Sequence, residues 1–88
     1  MPNKFPMGDL VSTPGAMASF EGTFMQACLA RHLQGDWGNL DRHDTRENER
    51  ALKTGERILS AYEQGDKKLW IITEADRSVT TFLLPSEY

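Results

Sequence analysis

The stretch ILSAYEQGDKKLWIITEADRSVTTFLL, residues 58–84, decides the fold, because it has the pattern of three strands joined by two turns. Residues 58–62, 69–73 and 79–84 are rich in β-branched and aromatic side chains, which favour strands. The intervening QGDK and EADRS sequences are typical of hairpin loops. We therefore predict a three-stranded antiparallel meander whose middle strand is apolar on both faces.

The residues before this meander predict helices, with one further short strand possible at 10–12. Thr13 and Pro14 form a helix start, as the N-cap and the first helical residue. Residues 24–34, FMQACLARHLQ, place apolar side chains at helical spacing, and Thr23 is expected to cap this second helix. The predicted fold is α+β, with N-terminal helices packed on a three- to four-stranded antiparallel β-meander.

A strongly polar third helix is predicted to begin near Asp41 or Asp44 and to run to about Lys53, with Gly55 ending it. Asp44 and Glu47 have the spacing of a capping box. The preceding sequence GDWGNLDRHD is interpreted first as the link between two helices, with Trp37 expected to insert into the core.

Length and composition limit the function. A chain of 88 residues is expected to form one domain, 1–88, in which residues 1–8 are loose. The formal net charge of −3 argues against nonspecific nucleic-acid binding, which needs a basic surface. A single cysteine, no metal-type cysteine spacing, no signal sequence and no apolar run of membrane length predict a cytoplasmic protein without metal, cofactor or membrane contact.

Charged residues of the third helix and of the second hairpin loop are the candidates for binding a protein partner. Arginines recur every four residues in this helix and so share one face. The alternative is a solvated helix held by weak ion pairs. The predicted partner-binding residues are Arg42, Arg46, Glu47, Glu49, Arg50, Glu74, Asp76 and Arg77.

A catalytic alternative uses two histidines and a carboxylate for general acid–base cleavage of RNA. The candidate residues are His32, His43 and Glu74, with Arg77 on the phosphate. His32 lies on the apolar stripe of its helix, however, where a histidine is more often a hydrogen-bonded core residue.

Four motifs recur together along the chain: FPxGxLVxTPGA from residue 5, ARHxxGDWG from 30, RILSAY from 57 and WIITEADRSxTTxLLPxEY from 70. Together they resemble a widespread, uncharacterised family of small bacterial plasmid- or phage-related proteins, over nearly the whole chain. The resemblance implies residence on a mobile genetic element. Small acidic proteins in that setting often inhibit host defence systems, including restriction and CRISPR systems.

We therefore expect a non-catalytic accessory factor, a monomer or homodimer, that binds one protein partner and acts as an anti-CRISPR or anti-restriction inhibitor. The alternative is an enzyme, because a helix followed by a meander also resembles the small ribonuclease toxins of the RelE and barnase type.

Overall fold

The computed structural model describes residues 2–88, so Met1, part of the segment expected to be loose, lies outside the described residues. The sheet has four strands: β1 (Asp9–Ser12), β2 (Ile58–Gln64), β3 (Lys67–Thr73) and β4 (Val79–Leu83). Three helices and a short 3-10 turn accompany it: α1 (Pro14–Ser19), α2 (Gly22–Leu33), α3 (Arg42–Thr54) and the turn Pro85–Glu87. The predicted α+β class is confirmed.

The sheet is mixed, however, and is not a pure antiparallel meander. Strands β2, β3 and β4 pair antiparallel as predicted, but β1 pairs parallel with β4, with Leu10 beside Thr80. The helices form the long connection between β1 and β2, so the chain re-enters the sheet at the edge opposite β1. Parallel pairing of β1 with β4 is possible because a long stretch of chain separates these two strands, whereas a short hairpin can join only antiparallel strands.

The two N-terminal helices begin differently from each other. Thr13 caps α1 as predicted, since its hydroxyl oxygen accepts a hydrogen bond from the N–H of Ala16 at 3.2 Å. The cap predicted for α2 at Thr23 is wrong, because the N-cap lies two residues earlier, at Glu21, which makes no side-chain capping bond, and the helix begins at Gly22.

Helix α3 begins at Arg42, and Asp41 is its N-cap. The Asp41 carboxylate accepts the N–H of Asp44 at 2.8 Å. The capping box predicted for Asp44 and Glu47 is therefore replaced by this earlier cap. Gly55 ends the helix in the left-handed conformation, as the sequence predicts.

The core lies between the sheet and the helices in two clusters. One cluster joins α1 and α2 to the inner sheet face around Tyr62, Leu69 and Phe82. The other surrounds Trp37, which is buried as predicted, and includes Phe5. Although Phe5 belongs to the segment expected to be loose, its ring stacks on Trp37, and the N–H of Lys4 donates to the Leu33 carbonyl at 2.8 Å.

The edge of β2 that does not pair with β3 is covered by two sets of hydrogen bonds. The segment 37–39 pairs with Ala61, whose N–H donates to the Trp37 carbonyl and whose carbonyl accepts the N–H of Asn39. Asn48 of α3 uses its side-chain amide to pair with the backbone of Leu59. These contacts close an edge that would otherwise be open to another strand.

Among residues 2–88, no helix combines the length and the apolar character needed to cross a bilayer.

Candidate functional site

The molecule has two candidate sites: the surroundings of the predicted catalytic residues, and a groove on the sheet face opposite α1 and α2. His32 is fully buried, as its place on the apolar stripe of α2 predicts. Its Nδ1 lies 2.5 Å from Ser60 Oγ and its Nε2 lies 2.9 Å from Thr73 Oγ1. Both ring nitrogens therefore have partners inside the core.

The donor and the acceptor of each hydrogen bond in this network can be assigned by starting from Thr80, the member farthest from His32. The Thr80 hydroxyl donates to the Met7 carbonyl at 2.7 Å, so its oxygen must accept from Thr73, 2.7 Å away. Thr73 has then used its only proton and must accept from Nε2–H of His32. Nδ1 is left unprotonated and accepts from the Ser60 hydroxyl.

This assignment requires a neutral imidazole. Burial, with a smaller contribution from the positive charge of Arg77, lowers the pKa of His32 to about 3. A ring that is neutral, bonded at both nitrogens and excluded from water holds three strands and the N-terminal segment together. It offers no free nitrogen to a substrate.

The other predicted catalytic residues lie apart from this network. His43 is exposed in the first turn of α3. The Glu74 carboxylate forms an ion pair with Arg57, 3.3 Å from its Nε. Within residues 2–88, no hydrogen bond or ion pair joins His32, His43 and Glu74 to one another, so their role in RNA cleavage stays a prediction.

Arg77 has a structural position. Its guanidinium donates to three backbone carbonyls, those of Ala51, Glu56 and Glu74, at distances of 3.1, 2.7 and 3.1 Å. It also lies over the Phe5 ring. The backbone of Arg77 has a φ of 60°, the one positive value outside glycine in the described chain. The side chain thus ties the β3–β4 loop to the end of α3.

The rest of the β3–β4 loop is held by hydrogen bonds between Asp76 and Ser78. The Asp76 carboxylate accepts both the N–H and the hydroxyl of Ser78, at 3.0 and 2.6 Å. These hydrogen bonds lower the pKa of Asp76. A role for Asp76 in partner binding stays a prediction.

The predicted partner-binding face of α3 has two kinds of residue. Glu47 and Arg50 form an exposed ion pair at 2.6 Å, and Glu49 accepts the indole N–H of Trp37 at 2.7 Å. Arg42 and Arg46 are exposed, and their side chains form no hydrogen bond or ion pair within residues 2–88. They are the cations of this face that stay available for a partner.

A groove of about 390 Å³ opens on the outer sheet face, the face that carries Leu59, Ala61 and Trp70. We call it the Trp70 groove. It is lined by Asn39, Leu40, Asp41, Asp44, Leu59, Ala61, Glu63, Lys68, Trp70 and Pro85. The start of α3 forms one wall, and the turn after β4 contributes Pro85 to the other.

The floor of the Trp70 groove is apolar and its rim is acidic. Leu59 and Trp70 are only partly covered there, and Tyr88 supports the indole edge-on at 5.6 Å between ring centroids. Glu63 and Lys68 are opposite each other in the β2–β3 register, so their charges offset each other. The carboxylates of Asp41 and Asp44 remain in excess.

The sequence predicts one feature of this groove, the apolar outer face of β3, but not its acidic rim. Both faces of β3 are apolar in the sequence, which predicts that its outer face is at least partly covered. Only the folded chain shows that the first turn of α3 brings two aspartates beside that face.

Residues 2–88 contain no cluster of three or more histidine, cysteine, aspartate or glutamate side chains suited to an ion. Cys28 is buried in the core, and burial raises the pKa of its thiol, so it is mainly in the thiol form near neutral pH.

Comparisons with protein-family models, with curated proteins and with solved structures find no match to this chain.

Proposed function

We propose that this protein is a non-catalytic accessory factor that binds one protein partner, and that the Trp70 groove holds a basic segment of that partner. The observation that carries the proposal is the groove, with its apolar floor and its excess of carboxylates. A lysine or arginine fits such a surface, because its aliphatic stem packs on the indole while its charged end pairs with a carboxylate. Tryptophan is also a frequent anchor in protein interfaces.

The resemblance to plasmid- and phage-related proteins supports a more specific form of the proposal. The partner is then a host defence complex of the CRISPR or restriction kind, which the protein blocks sterically in the cytoplasm. Complexes that hold nucleic acid line their channels with basic side chains, to which an acidic groove is complementary. The net charge of −3 has the same sign as phosphate, which supports a protein rather than a nucleic acid as the ligand.

Arg42 and Arg46 complete the proposed surface. They lie on α3, whose first turn also supplies the two aspartates of the groove. A partner that reaches from the groove across α3 would therefore meet carboxylates first and guanidinium groups next. Electrostatic patterns of this kind set the orientation of a complex.

A peptide titration tests the groove directly. The probe is an acetylated, amidated peptide of alternating lysine and leucine, and its matched control replaces every lysine with glutamate. We expect the Trp70 indole N–H signal in a ¹⁵N NMR spectrum to move with the lysine peptide alone. The Trp37 indole, which is bonded to Glu49, is an internal reference that should stay in place.

Two charge reversals localise the binding. Asp44→Lys removes a groove carboxylate that caps nothing, and Glu21→Lys makes the same change at an exposed residue without a side-chain capping bond. Binding of the lysine peptide should weaken in the first variant and persist in the second. Equal shifts of Trp70 with both peptides, or equal loss in both variants, would contradict the proposal.

The identity of the partner requires affinity purification of the tagged protein from a bacterial host, with co-eluting proteins identified by mass spectrometry. We expect a stoichiometric nucleic-acid-processing complex that is lost with Asp44→Lys and retained with Glu21→Lys. A partner retained by both variants but lost with Arg42→Glu and Arg46→Glu together would place binding on α3 instead.

A further inference from the structure

The two edges of the sheet are treated differently. The β2 edge is covered by Asn48 and by the segment 37–39. The β1 edge has no such cover in the described chain. The N–H groups of Asp9 and Thr13 donate to carbonyls of β4 and its preceding turn, so alternate residues of β1 face inward. Leu10 and Ser12 therefore direct their backbone N–H and C=O groups outward.

Apolar side chains gather at this same edge. Among residues 2–88, the exposed large apolar side chains are Leu10, Val11, Met17 and Tyr88, and the first three line one surface cavity beside β1. No charged residue lines that cavity. Edge strands usually carry charges or bulges that prevent pairing, whereas in β1 the single charge is Asp9 at the start of the strand and the outward-facing residues Leu10 and Ser12 are uncharged. This edge is therefore a site of strand addition.

We propose that a second copy of this chain occupies the β1 edge, by antiparallel pairing of β1 with β1 about a two-fold axis through Val11. This axis places Leu10 opposite Ser12 of the second copy, and each such pair exchanges two backbone hydrogen bonds. The residues with outward groups are thus the ones that meet. Val11 meets Val11 in the intervening close pair, where β-branched side chains pack well.

The chemistry of the edge favours a second copy over a different protein. The cavity beside β1 carries no charge with which to select a complementary partner, and homodimer interfaces are more apolar than transient ones. The Trp70 groove lies over β2 and β3, toward the opposite edge of the sheet. The dimer would therefore leave both grooves open, and this inference does not rest on the proposed function.

Sedimentation equilibrium over a range of protein concentrations tests the proposal with the full chain. We expect a species of twice the monomer mass for the natural sequence. Val11→Lys places two ammonium groups against each other at the axis and should raise the dimer Kd at least about tenfold. Gln64→Lys adds the same charge to an exposed residue of β2, and this control should dimerise like the natural chain.

Amide hydrogen exchange gives a second measurement that needs no variant. The N–H groups of Leu10 and Ser12 should be protected at high protein concentration and should exchange faster on dilution. A monomer at every concentration, a Val11→Lys dimer as tight as the control, or rapid exchange at Leu10 and Ser12 in the concentrated protein would each overturn the proposal. Circular dichroism of Val11→Lys establishes whether that variant is folded. If it is unfolded, the exchange data on the natural protein alone test the proposed dimer.

Discussion

The side-chain amide of Asn48 pairs with both backbone groups of Leu59: its nitrogen donates to the Leu59 carbonyl, and its oxygen accepts the Leu59 N–H at 3.1 Å. One buried side chain thus satisfies two polar groups that a neighbouring strand would otherwise bind. The contact joins α3 to the edge of β2, and it depends on an amide, since neither a carboxylate nor an alkyl group can both donate and accept.

Asn48→Asp tests this pairing with almost no change in shape. The ionised carboxylate loses the donor and faces the Leu59 carbonyl, so we expect the free energy of unfolding to fall by at least about 2 kcal/mol near neutral pH. Burial and the carbonyl raise the pKa of the new carboxyl in the folded state. The deficit should therefore shrink as the pH falls, because the protonated carboxyl can donate again.

Urea denaturation at several pH values measures this effect. Asn39→Asp is the matched control, because Asn39 is exposed and pairs with β2 through its backbone N–H alone. A loss of stability as large in Asn39→Asp as in Asn48→Asp would show that added negative charge, and not the lost donor, is responsible.

Gly38 is predicted to tolerate no side chain. Its φ is 73°, and an added Cβ would lie 2.0 Å from the Ala61 carbonyl oxygen. Gly38→Ala should lower the free energy of unfolding by more than about 1 kcal/mol, because it combines backbone strain with a clash at the β2 edge. Gly22→Ala is the control, since nothing lies within 4 Å of its added Cβ, and calorimetry should find this variant as stable as the natural protein or more stable.

Buried His32 predicts a loss of stability in mild acid. Its folded pKa of about 3 lies below the value near 6.5 of an unfolded histidine. Between these pH values the unfolded chain holds one more proton. The contribution of His32 to the free energy of unfolding should therefore be constant above about pH 6.5. As the pH decreases below that value, this contribution should decrease by up to about 1.4 kcal/mol per pH unit.

Denaturation between about pH 7 and pH 5 isolates this histidine, because ordinary carboxylates titrate mainly at lower pH. His32→Gln should be less stable at neutral pH but should lose the slope. His43→Gln changes an exposed histidine and should keep it. A slope that survives in His32→Gln would assign the acid sensitivity to another group.

Arg77 combines a strained backbone with three side-chain hydrogen bonds, and two substitutions separate these effects. Arg77→Ala loses the bonds and keeps the positive φ, whereas Arg77→Gly loses the bonds without that strain. We expect both variants to be destabilised, and the alanine variant to be less stable by about 1 kcal/mol. Thermal denaturation compares them, and equal stabilities would mean that the loop relaxes out of the left-handed conformation.

Local patterns in the sequence predict most of the secondary structure. The apolar runs of the meander, the Thr13 cap and the helical stop at Gly55 each depend on residues within a few positions, and each is confirmed. The N-cap of α2 predicted at Thr23 lies two residues too late, because a hydroxyl side chain that could cap a helix does not show where the backbone turns.

The contacts of Asn48 with Leu59, of Arg77 with Ala51 and of β1 with β4 join residues far apart in the sequence, so local patterns do not predict them. Asn48 was part of a polar helix with no signal that it reaches Leu59, 11 positions away. The sequence around Arg77 gives no signal that its guanidinium donates to the Ala51 carbonyl, 26 positions earlier, and its role on a phosphate stays a prediction. The parallel pairing of β1 was equally invisible, since strand direction depends on where the chain re-enters the sheet.

The pairing of β1 with β4 also has a consequence for synthesis on the ribosome. Met7 and Thr80, which share a hydrogen bond where these strands meet, are 73 positions apart. While translation proceeds, β1 leaves the exit tunnel long before its partner strand exists, with Leu10 and Val11 uncovered. The sheet can close only after β4 has emerged, so the nascent chain is expected to bind chaperones through this segment and to fold late.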